Sequence, residues 1–233
     1  MKIKFSLISL ISILLLNAAI ATPSTLNASE ADGQTAERDY VEKGFRYFKH
    51  FKLGLDYEKQ GRLDTALEAY GKAIEANPKY TAAYNNRGLI YAEQGKFDLA
   101  VAEFERAIEA NPEDTRAYIH RGLIYTKQGK FDLAVADFER VIELDPEFAD
   151  AYSNRGLIYA SQGKSNLALT DLNRAIELNP ELAMAYHIRG SIHNKQGDFQ
   201  QARSNFQQAV KLFTAQRNNA QAQKVKDILK QLP

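Results

Sequence analysis

One 34-residue phrase, said repeatedly, constrains this chain more than any other feature. Thr81–Asp114 and Thr115–Phe148 align without a gap and agree at 24 of 34 positions. Gly54, Gly88, Gly122, Gly156 and Gly190 keep the same step, and so do Gly61, Gly95, Gly129, Gly163 and Gly197. Pro78, Pro112, Pro146 and Pro180 follow it too. Units of this length bury their apolar faces only against their neighbours, so the chain must fold as a stack. One frame holds five units: 47–80, 81–114, 115–148, 149–182 and 183–216. Below, a place is a position counted from the start of its unit.

Each unit reads as two helices. Ala83, Tyr84, Arg87, Gly88 and Tyr91 recur at helical spacing and give the first helix a packing face. Gly95 is expected to end it, because the residue past a helix often needs positive φ. Asp98 is expected to cap the second helix, with Asp64 and Asp132 in the same place; Asp198 is expected to take over in the fifth unit. Ala100, Phe104, Ala107 and Ile108 line the second helix. It stops before Asn111-Pro112, since the residue ahead of a proline disfavours the α region. Gly88 facing Ala100 predicts a close approach of the two axes.

Tyr84, Gly88, Tyr91, Ala100, Phe104, Ala107 and Pro112 resemble the signature of the tetratricopeptide repeat, with Tyr for its usual Trp. Tyr118, Gly122, Tyr125, Ala134, Phe138 and Pro146 repeat the match. The resemblance implies an all-α, right-handed α-solenoid of helix-turn-helix units. Departures fall mostly at the ends: His50 replaces the first aromatic in the first unit, His193 the second aromatic and Thr214 the proline in the fifth, and Leu172 replaces Phe in the fourth. After Gln216 the period stops. Val225, Ile228, Leu229 and Leu232 form one apolar stripe, which predicts a C-terminal capping helix within 217–233.

The second and third units differ at ten places, and five of these are places 2, 5, 6, 12 and 13. Helical geometry puts those away from the Tyr–Gly–Tyr face. The resemblance implies that they point into a concave groove. The candidate partner-binding residues are therefore Asn85, Asn86, Leu89, Arg116, Ile119, His120, Leu123, Lys127, Ser153, Asn154 and Leu157. Asn86 and Asn154 would bond a partner's backbone, and the three leucines would form an apolar floor. Arg116, His120 and Lys127 would favour an acidic stretch. The expected partner is a peptide or helix of another protein. The lysine and asparagine set by which related domains clamp a chaperone's C-terminal carboxylate is missing: place 5 holds Phe51, Asn85, Ile119, Ser153 and His187.

A net charge of +1 gives no bulk attraction for nucleic acid. The chain has no cysteine, which removes disulfides and thiol ligands or nucleophiles. His187 and His193 stand six apart, the wrong spacing for a metal on one helical face. No catalytic constellation or phosphate loop is visible. No cofactor is expected, and the chain reads as a non-enzyme. Arg87, Arg121, Arg155 and Arg189 replace the family's usual apolar residue. Sixteen residues on stand Glu103, Asp137, Asp171 and Asn205, whereas the first unit has Leu53 and Ala69. This joint appearance predicts a structural bridge between the helices of a unit.

Residues 1–21 have the three-part form of a secretory signal peptide: Lys2 and Lys4, an apolar run, then Ala19-Ile20-Ala21. An uncleaved membrane anchor is the alternative. Residues 22–39 read as a flexible linker, with the repeat region spanning 40–216. The expected location is outside the cytoplasm: periplasm, secreted, or thylakoid lumen in a photosynthetic source. The expected function is a non-catalytic protein-binding scaffold or assembly factor. The alternative is a module that self-associates through its end units, giving a homo-oligomer.

Overall fold

The computed structural model describes residues 45–233; the expected signal segment and linker lie outside the described residues. Those residues form eleven helices and no strand. The first, α1, runs over 45–59. It is followed by α2 (Leu63–Ala76), α3 (Thr81–Glu93), α4 (Phe97–Ala110), α5 (Thr115–Lys127) and α6 (Phe131–Leu144). Then come α7 (Ala149–Ser161), α8 (Ser165–Leu178), α9 (Ala183–Lys195), α10 (Phe199–Ala215) and α11 (Asn219–Gln231). Successive helices pack on one another, making the all-α repeat solenoid that the period requires.

Gly95 has φ +74°, and its equivalents in the other units lie between +72° and +79°. Around it, Lys96 N–H donates to Tyr91 O at 2.8 Å and Gly95 N–H to Ala92 O at 3.1 Å. These two bonds satisfy the last carbonyls of α3 and reverse the chain. Asp98 differs from expectation. It lies one residue inside α4, whose N-cap Lys96 makes no side-chain capping bond. Asp98 therefore opposes the helix dipole without capping the helix, and accepts from Gln128 Nε2 of the next unit at 3.3 Å. Asp198 does cap α10, accepting from Gln201 N–H.

The interior repeats with the same register. Ala100, Phe104 and Ala107 are fully buried, as are Ala134, Phe138 and Val141 one unit on. The glycine at place 8 has a different neighbour from the one expected. A Cβ on Gly88 would stand 2.7–3.1 Å from the ring of Phe104, so the missing side chain makes room for that ring rather than for Ala100. At the far end Val225 is fully buried against Phe206, Ala209 and Phe213, with Ile228, Leu229 and Leu232 beside it. Helix α11 thus caps the fifth unit.

Candidate functional site

Leu89, Leu123 and Leu157 occupy place 9 of α3, α5 and α7 and are 39%, 42% and 39% exposed. One half-exposed leucine per unit, in one register, makes an apolar row on the first helices. Arg116 and Lys127 are also exposed. Lys127 Nζ lies 4.6 Å from the centre of the Phe97 ring, a cation–π contact to the preceding unit. Arg116 reaches back to Asp114 at 3.4 Å.

Places 5 and 6 are not free surface. Asn85 is 2% exposed and donates from Nδ2 to Asp114 Oδ2 at 2.9 Å. Ser153 is also buried. Neither has surface to offer a partner, so both leave the candidate set. Ile119 is half-buried against the cluster of Phe138 and Val141, with Phe148 alongside. In the first three units place 5 varies with place 34 of its own unit; Ser153 and Leu182 in the fourth do not match in polarity. Phe51 meets Tyr80 edge-on at 5.0 Å, Asn85 meets Asp114, and Ile119 and Phe148 join one cluster. Aromatic, polar and apolar pairs replace one another as wholes. The signal was readable as a joint change of polarity at two places of the repeat.

Place 6 faces place 24 of the unit before. Asn86 Nδ2 donates to Tyr70 Oη at 3.2 Å, and the His120 ring lies 5.6 Å from Phe104. Asn86, His120 and Asn154 are half-buried. Burial, helped by the charge of Arg116 and opposed by Asp114, holds the His120 pKa below the ordinary histidine value. Its imidazole is therefore neutral near pH 7 and adds no positive charge for an acidic ligand, contrary to the expectation above. Of the three basic residues expected there, only Arg116 and Lys127 are exposed.

A second row was missed in the sequence. Leu99, Leu133 and Leu167, at place 19 of the second helices, are about half exposed. The leucine is the same in all three units, within "FDLAVA" in the second and third and "SNLALT" in the fourth, so attention to differences passes over it.

The arginine bridges form as expected. Arg87 binds Glu103 at 2.6 Å, Arg121 binds Asp137 through Nε and Nη2, and Arg155 binds Asp171 through the same two groups at 2.8 Å. Arg121 and Arg155 also reach Glu105 and Glu139 of the preceding unit, at 4.0 and 3.7 Å. Among the described residues no group of three or more metal-ligating side chains converges, and no helix is long and apolar enough to cross a membrane.

Family comparisons agree with this architecture. Tetratricopeptide-repeat profiles match residues 51–115 and 88–141, 122–163, 149–182 and 183–215. No curated protein matches the chain. Among solved structures, MamA from Desulfovibrio magneticus RS-1 is 20% identical, with TM-score 0.65, covering 73% of this chain and 96% of its own. YrrB, described as a TPR protein with an unusual peptide-binding site, is 21% identical, with TM-score 0.62, covering 82% and 97%. PilF of Pseudomonas aeruginosa is 17% identical, with TM-score 0.65, covering 82% and 93%. At these identities the likeness concerns the fold. The profiles together run from residue 51 to 215, and the chain belongs to the tetratricopeptide-repeat family.

Proposed function

We propose that the protein is a non-catalytic scaffold that binds an extended peptide or helix of a partner along the first-helix face of its middle units. The observation that carries this reading is the row Leu89, Leu123, Leu157, half exposed at a fixed register in units whose other large apolar first-helix side chains are packed. A solenoid offers such a row as a continuous concave floor. Arg116 and Lys127 stand on the same helices and vary from unit to unit, which suits recognition of an acidic segment. YrrB is a relative in fold for which a peptide-binding site is described. The form of residues 1–21 supports a location outside the cytoplasm.

Changing Leu89, Leu123 and Leu157 together to Ser tests the reading, with Arg116→Ala and Lys127→Ala as a second variant. Partner capture by the leucine variant is expected to fall at least tenfold while its melting temperature stays near that of the parent. Retained capture by a folded leucine variant overturns the site.

Self-association is the second reading. The last unit is covered by α11, with Val225 fully buried, but Phe48 on the first unit is 54% exposed. The contact would therefore lie at the first unit. A larger mass by light scattering that Phe48→Ser returns to that of a monomer supports it; a monomeric parent rejects it.

A further inference from the structure

The fifth unit keeps the arginine of the bridge and loses every acid around it. In the second, third and fourth units, places 23 and 29 are Glu103 and Glu109, Asp137 and Glu143, and Asp171 and Glu177. In the fifth they are Asn205 and Lys211, and α10 contains no acidic residue at all. The preceding unit offers no replacement, because place 25, Glu105 and Glu139 earlier in the chain, has become Asn173.

Arg189 is half-buried and bonded only to neutral oxygens: Nε to Asn205 Oδ1 and Nη1 to Asn173 Oδ1, each at 2.7 Å. Asn205 Nδ2 donates to Gln201 O, which turns its Oδ1 toward the arginine. Among the described residues no carboxylate lies within 4 Å of Arg189, and its Nη2 has no partner. In the third and fourth units that same Nη2 holds an Asp oxygen at 2.6 and 2.8 Å. Burial draws the Arg189 pKa below the ordinary arginine value, whereas the Asp171 hydrogen bond raises that of Arg155. The guanidinium opens on a cleft of about 410 Å³ lined by Tyr186, Ser204, Gln208 and Lys211. From residue 199 onward the chain carries six basic side chains and one acid, Asp227.

We propose that this cleft between α9 and α10 binds a carboxylate of an acidic peptide segment, which completes from outside the bridge that the chain completes itself in the units before. Nη2 of Arg189 supplies the directional donors that a carboxylate fits, and Lys211 adds a second cation. Ser204 and Gln208 offer neutral donors on the same wall. The site is separate from the leucine row: places 7 and 9 of a helix point about 200° apart. It would hold a second, acidic part of a partner and set its polarity along the stack.

Titration with a fluorescent hexaglutamate peptide and its hexaglutamine counterpart tests this at constant ionic strength. The parent chain is expected to bind the glutamate peptide at least tenfold more tightly. Asn205→Asp rebuilds the internal bridge, so it should lower that affinity at least tenfold while raising the melting temperature. A simultaneous gain in stability rules out unfolding as the cause. Lys211→Glu should weaken binding as well. Gln231→Glu, the same charge change as Asn205→Asp at an exposed place on α11, should leave it within twofold. Inorganic phosphate should displace the peptide no better than chloride does. Equal binding of the two peptides, an Asn205→Asp variant of unchanged affinity, or preferential displacement by phosphate each overturn the proposal. These outcomes do not depend on the leucine row, whose variant should bind hexaglutamate normally.

Discussion

The middle three units and the fifth share an interior and differ in what they show to solvent. Ala202, Phe206 and Ala209 are buried as fully as Ala134, Phe138 and Val141. Gly190 is crowded by Phe206 as Gly122 is by Phe138. Outside, the two regions part. Place 9 changes from Leu to Ser191, place 19 from Leu to Gln201, place 23 from an acid to Asn205 and place 29 from Glu to Lys211. Packing demands hold in every unit because each must accept its neighbour. Surface chemistry is under no such demand. The place-19 leucines and the place-23 carboxylates therefore run through the middle units only, the place-9 leucines extend to Leu55 of the first unit, and the fifth carries a different, basic surface.

The sharpest contrast is between the two arginines. Arg155→Ala leaves Asp171 buried without its cation and should cost about 3 kcal/mol. Arg189→Ala abandons only amide oxygens and should cost about 1 kcal/mol. Urea denaturation of the two variants measures both, and equal losses would break the comparison. Asp114 gives the next largest difference. It accepts the N–H of Arg116 at the start of α5 and the amide of Asn85. Asp114→Ala should therefore cost about 1.5 kcal/mol. Gln216 holds the same place in the fifth unit, bonding Glu181 O at an exposed position. Its change to Ala should stay within about 0.5 kcal/mol.

The interior should show no such contrast. A Cβ at Gly122 meets Asp137 and Phe138 at 3.2 Å, and one at Gly190 meets Phe206 and Asn205 at 2.9–3.1 Å. Overpacking is partly offset by the better helix propensity of Ala, so each change to Ala should cost about 1 kcal/mol, slightly more at Gly190. Thermal unfolding of the pair tests whether the core is shared.

The smallest effect is on pH. Burial lowers the pKa of His120 and of His187. The unfolded chain then takes up protons more readily, and each histidine removes stability as pH falls below about 6.5. His120→Asn and His187→Ile should both flatten the decline of melting temperature between pH 7 and 5. A steeper decline in either variant contradicts the assignment.

Much of this fold was legible because the period is strict. The helix pairs, the positive-φ glycines and the arginine bridges followed from places that repeat, and the cap through Val225 from an apolar stripe beyond them. The candidate site was less legible, because variation has two sources. In the first three units place 5 changes with place 34, and place 6 rests on place 24 of the unit before, so Asn85 and in part Asn86 record repacking rather than exposure, and Ser153 is buried as well. Comparing unit with unit along one place cannot separate these, whereas following pairs of places can. The Leu99 row escaped for the opposite reason: it is constant through the three middle units.

Site-specific photo-crosslinking tests the proposed binding face most directly. A crosslinking residue is placed at 89, 123 or 157 on the first helices, or at 133 in the second-helix row, in the full chain in its native extract. The account predicts one and the same partner joined from all three first-helix positions and none from 133. Crosslinks from 133 alone, or different proteins from 89, 123 and 157, would contradict it.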